Sequence, residues 1–143
     1  MNFTKNIFIG ILFLYITTMS SQTTTSYLET NIQQHIVNKY WSNEAGTTGK
    51  VVLYFGQNQL STYINQKKFG SGNYYFTNIS CNDSSSIFDN SKIGNSSSGN
   101  YIKTDRYCYL IEISTNLQQI RMKKSYDNKW QTFYLLNNPN LPN

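Results

Sequence analysis

The amino-acid sequence predicts a mainly β domain: an antiparallel meander that closes into a small barrel behind a short N-terminal helix. Three observations predict it. From Lys50 onward, apolar and aromatic residues alternate with a period of two, the spacing of half-buried strands. The runs are short, and Gly-, Asn- and Ser-rich segments separate them, so sequential strands are expected to be neighbours. Tyrosine is abundant, at 12 residues, and its apolar ring with one polar end suits strands and half-wet surfaces.

The chain of 143 residues opens MNFTKNIFIGILFLYITTMSSQ. Lys5 precedes an apolar run from Ile7 to Ile16, and small polar residues follow to Ser21. That order is a secretory leader, with cleavage expected near Ser20 or Ser21. The apolar run is about ten residues, against the roughly 20 a transmembrane helix needs, so no stable membrane anchor is expected. Residues 1–21 are therefore read as a signal peptide, 22–26 as a polar lead, 27–137 as a single β domain and 138–143 as a tail. The expected location is secreted or periplasmic. The mature part is long enough to bury a core as one domain.

"YLETNIQQHIVNKYW", Tyr27 to Trp41, spaces Leu28, Ile32, Ile36 and Tyr40 four apart, which predicts the helix. Ser26 and Glu29 stand at the spacing of a capping box. "KVVLYFG" predicts the first strand, with Val51, Leu53 and Phe55 on one face. "LSTYINQ" follows across a tight turn, and "NYYFTNIS" enters through Gly70-Ser71-Gly72. "YIKTDRYCYLIEI" is a fourth strand with an expected break near Asp105, and "LQQIRMKK" and "KWQTFYLL" complete the meander. Between the third and fourth runs lies a polar tract, Asn82 to Asn100. Its apolar points, Ile87, Phe88 and Ile93, are expected to pin it to the core. Neither face of the later strands is clearly polar, which fits a closed barrel with a partly polar interior and a partly covered exterior, or a curved sheet wrapped on the helix with an aromatic surface left open.

Cys81 and Cys108 are the only cysteines. They flank the polar tract, with no CxxC and no nearby histidine. In an oxidising compartment such a pair is expected to form a disulfide that staples the base of the long loop.

The order of elements resembles the lipocalin-like small secreted barrels, the calycin group in its broad sense. A leader precedes a short helix ending in "NKYW", with Trp41 ahead of the first barrel strand. A meander with one disulfide then runs from about Ile36 to Leu136. The lipocalin signature has Gly two positions before that Trp, where this chain has Lys39; Arg121 is the candidate for the arginine that packs on the Trp. The resemblance implies an internal pocket for a small apolar ligand. The alternative fold is α+β: a helix on a curved sheet, as in cystatin-like or NTF2-like domains.

Evidence for catalysis is sparse. His35 is the only histidine, and no serine sits in a nucleophile elbow. Glu112 lies mid-strand, with an outward placement expected. "DNSKIG", Asp89 to Gly94, departs from a calcium loop at Ile93 and Asn100. Arg121, Lys123 and Lys124 are the densest basic group, read as a solvated strand end, and no nucleic-acid motif accompanies them. Asn78, Asn82 and Asn95 lie in glycosylation sequons. No enzyme activity, metal or cofactor is expected. The expected function is that of a binding module that buries a small apolar or amphipathic ligand among Trp41, Tyr54, Phe55, Tyr63, Tyr74, Phe76, Tyr109, Trp130 and Tyr134. The alternative is a protein-interaction or inhibitor module with a solid core.

Overall fold

The computed structural model of the chain describes residues 25–28, 32–82, 87–94, 99–137 and 139–141; the expected leader, residues 1–21, lies outside them. Eight antiparallel strands close into a barrel. They are β2 (Lys39–Ser42), β3 (Val51–Phe55), β4 (Gln59–Ile64), β5 (Lys67–Thr77), β6 (Tyr101–Thr104), β7 (Cys108–Ser114), β8 (Gln119–Lys124) and β9 (Gln131–Leu136). Each pairs with its sequence neighbour, and β9 pairs back with β2, placing Trp41 opposite Leu135. A two-residue strand, β1 (Tyr27–Leu28), extends the β6 edge of β7 through Leu28 and Ile113. The architecture is compatible with a lipocalin-like fold. Closure leaves none of the eight barrel strands with a free edge along its paired length.

Register fixes which side chains face inward. Trp41, Leu53, Phe55, Tyr74, Phe76, Ile102, Ile111, Ile113, Ile120, Met122 and Phe133 form the buried core. The large rings interlock: Tyr74 meets Phe55 and Phe76 edge-on, both at 5.7 Å between centroids. The Tyr74 hydroxyl donates to the Gly56 carbonyl at 2.5 Å, which satisfies the one polar atom this side chain brings into the core.

The N-terminal helix is shorter than its spacing predicts. It covers Gln33–Ile36 as α1, and its apolar residues close one end of the barrel: Ile32 and Ile36 are fully buried in the core. Val37 turns extended, and Asn38 takes φ of 60°, a left-handed position that asparagine tolerates. Lys39 to Trp41, read from sequence as the helix end, instead belongs to barrel strand β2, and Tyr27–Leu28 is strand rather than helix.

One further boundary differs from the sequence reading. Gly70-Ser71-Gly72 lies inside β5 rather than at its entry, because this strand is 11 residues long and pairs with β4 across a bulge at Thr62/Tyr63. The expected break near Asp105 is present, dividing β6 from β7. Cys81 and Cys108 form a disulfide with Cα atoms 5.5 Å apart, joining the start of the long loop to the start of β7. Within the loop, Phe88 stacks on Tyr75 at 5.3 Å and Ile93 is half-buried, while Ile87 is 83% exposed and pins nothing. Tyr75 points outward between Tyr74 and Phe76. The described part of the loop is therefore held against the outside of the barrel and does not enter the core.

Candidate functional site

At the barrel end opposite α1, the wall opens into a cup of about 430 Å³. Leu60 and Thr62 of β4, Gly70 and Gly72 of β5, Thr104 of β6 and Tyr109 of β7 line it, with Phe69, Arg106 and Tyr107 at the rim. The cup exists because inward positions on β5 carry no side chain. Gly72 pairs with Leu60 and Gly70 with Thr62, and both share the inward face of Tyr74 and Phe76. A Cβ added at Gly70 would meet nothing within 4 Å, and one at Gly72 would meet only Asp105 Oδ1, at 3.9 Å. Glycine within a strand commonly marks close approach or open space, and here it is open space. Phe69, the extra residue of the bulge, is 76% exposed, and Tyr107 is 41% exposed. Burial pushes the Tyr109 hydroxyl up from its ordinary pKa, with Lys124 pulling the other way.

The sequence-predicted ligand residues divide between the two faces of the barrel wall. Trp41, Phe55, Tyr74 and Phe76 point inward and are at most 1% exposed, so they fill the interior as core. Tyr109 reaches the cup. Tyr54, Tyr63 and Tyr134 point outward. Trp130 lies just before β9 on the outside, under Arg121 and Lys123. Gly70, Gly72, Leu60 and Thr62 were missed by sequence reasoning because the glycines read as a turn; two glycines at alternate positions was the available signal.

On the outside, Tyr40, Tyr54 and Tyr63 come together on β2, β3 and β4. Tyr40 and Tyr54 stack at 4.4 Å, and Tyr63 lies 6.4 Å from Tyr40. They border a second depression, of about 680 Å³, with Gln59, Ser61, Lys68, Asn73 and Ile93. Desolvation, then the neighbouring Tyr63 and Tyr54, hold the Tyr40 hydroxyl above its ordinary pKa.

Arg121 does not pack on Trp41, as the lipocalin resemblance implies. It faces outward, paired with the buried Glu112 and placed over the rings of Tyr27 and Trp130. Register explains this: Arg121 sits between inward Ile120 and Met122. Glu112 takes the outward position expected of it. Asp89 caps the short 3-10 turn Asn90–Lys92, accepting from Ser91 N at 3.0 Å and Ser91 Oγ at 2.7 Å. Those bonds, aided by Lys92, hold its carboxyl below the usual range. His35 meets the Gln34 side chain. Asn78 and Asn82 are exposed, and Asn95 lies outside the described residues. Among the described residues no three His, Cys, Asp or Glu gather, and no helix is long and apolar enough to cross a membrane.

Comparisons with protein-family models, curated proteins and solved structures found no match.

Proposed function

We propose that this chain is a secreted, lipocalin-like binding module that holds a small apolar or amphipathic ligand in the cup at the open end of the barrel. The observation that carries the reading is the pair of inward-facing glycines, Gly70 and Gly72, which leaves unfilled volume beside Leu60, Thr62 and Tyr109 in an otherwise packed interior. At about 430 Å³ the space falls within the range of small-molecule sites. Its composition suits an amphipathic guest. Leu60 and the rings of Phe69, Tyr107 and Tyr109 offer apolar contact, while Thr62 and the tyrosine hydroxyls give direction. The disulfide and the leader-like N-terminus support an exported location.

Titration of intrinsic fluorescence with medium-chain fatty acids, retinol and sterols tests the reading. Saturable quenching by at least one is expected. Gly72→Val is expected to abolish that binding without lowering stability, since it fills the cup and valine suits a strand. Absence of saturable binding across the panel overturns the proposal.

A second reading has one specific observation in its favour. Trp41, Phe55, Tyr74 and Phe76 fill the barrel's centre, as in a solid module that meets a protein partner through its surface. Native affinity capture that yields a stoichiometric protein complex unaffected by Gly72→Val favours this second reading.

A further inference from the structure

We propose that the outer face of β2 to β5 is a carbohydrate site that takes an oligosaccharide lacking cationic groups. The inference is independent of the cup, which lies on the inward side of the wall. Tyr40, Tyr54 and Tyr63 stand on successive strands with their side chains on the outer side of the barrel wall; Tyr40 and Tyr54 are half-buried, and Tyr63, 5% exposed, backs them. The Tyr40–Tyr54 stack, 4.4 Å apart and 29° from parallel, makes a stiff aromatic surface. Among the described residues their three hydroxyls make no hydrogen bond. An aromatic ring offers a flat apolar face with a polar rim, the complement of a pyranose ring with its C–H face and peripheral hydroxyls.

The polar groups around the rings fit the same guest. Gln59 donates its side-chain amide to Asn73 Oδ1 at 3.3 Å, so each orients the other. The Gln59 carbonyl and the Asn73 amino group then remain as acceptor and donor for sugar hydroxyls. Ser61 lies beside Tyr54 in register, and Lys68 pairs with Tyr63. Among the described residues no carboxylate lines the depression and Lys68 is its charged residue, which disfavours a cationic guest and admits a neutral or acidic one. Ile93 supplies a wall from the loop whose base the disulfide staples. The depression, about 680 Å³, is open to solvent, as a site for a sugar laid on the protein surface must be.

The test is calorimetric titration with cellotetraose, xylotetraose, mannotetraose, chitotetraose and tetragalacturonate, with amide chemical-shift mapping. At least one is expected to bind saturably, with the largest shifts at Tyr40, Tyr54, Tyr63 and Lys68. Tyr54→Ala is expected to weaken binding at least tenfold. Because loss of a large ring can disturb folding, Asn73→Ala serves as a second variant at an exposed position; it is expected to weaken binding several-fold with its melting temperature unchanged. Gly72→Val, which fills the cup, is expected to bind the sugar normally. No saturable binding by any of the five sugars overturns the proposal. So does normal binding by both Tyr54→Ala and Asn73→Ala, or loss of sugar binding in Gly72→Val.

Discussion

The guanidinium of Arg121 lies 4.5 Å from the ring centre of Trp130 and 4.0 Å from that of Tyr27. The same group pairs with Glu112, whose side chain is 10% exposed. One cation thus ties β1, β7, β8 and the approach to β9 together on the outside of the barrel. Arg121→Ala removes the ring contacts and leaves a largely buried carboxylate unpaired. A loss of about 2–4 kcal/mol is expected by urea denaturation, the upper part of that range being reduced by Arg121's partial exposure. The double variant Glu112→Leu/Arg121→Leu is expected to lose less than Arg121→Ala alone, because no charge is stranded.

The disulfide closes a span of 27 positions. Chain entropy assigns such a bridge about 3–4 kcal/mol. Cys81→Ser/Cys108→Ser is expected to lower stability by about that amount. Hydrogen exchange is expected to quicken in the described loop segment around Phe88 to Gly94 before it quickens in β3 or β4.

Two glycines make a contrast that bears directly on the fold. A Cβ at Gly99 would lie 2.1 Å from the Thr77 carbonyl oxygen and 2.5 Å from the Asn78 nitrogen, both backbone atoms that cannot swing aside. Gly99→Ala is therefore expected to lower the melting temperature markedly. Gly70→Ala, whose new methyl meets open space, is expected to leave it unchanged or raise it slightly. Thermal melts of the two variants side by side check this, and equal effects would contradict the packing described.

Burial raises the Tyr74 hydroxyl well above its ordinary pKa, with a smaller contribution from Tyr54. The sign follows from proton linkage. Above pH ~10 the unfolded chain releases this proton while the folded chain keeps it, so stability is full below that point and falls as pH rises further. Tyr74→Phe is expected to flatten that alkaline decline. At neutral pH it costs the hydrogen bond to Gly56, about 1 kcal/mol. Absorbance titration of tyrosinate in the native protein, with denaturation at stepped alkaline pH, measures both effects.

The strands were legible because their alternation survives burial: Val51, Leu53 and Phe55 announce one face whatever lies opposite. The N-terminal helix was only half legible. Leu28, Ile32, Ile36 and Tyr40 share a helical spacing, and Ile32 and Ile36 do enter the core. Asn38 breaks the pattern through a left-handed backbone turn that spacing cannot register. The cup was hidden for a related reason. Gly-Ser-Gly is the composition of a turn, and only the long pairing of β4 with β5 shows that these glycines line a wall. The aromatic set could not be sorted into inward and outward members, because Tyr and Phe occupy both faces of β3 and β5. Pairing register, which joins strands far apart in sequence, decides it.

The pairing of Trp41 with Leu135 joins the first staves of the barrel to the last. A chain made amino end first can zip each hairpin as it appears, yet the cylinder stays unlatched until the final ribbon arrives. A product cut short before Gln131 would expose two raw, sticky seams, on β2 and on β8. Open edges of this kind template pairing with other chains, so the carboxyl-terminal ribbon that latches the cylinder also guards it against aggregation.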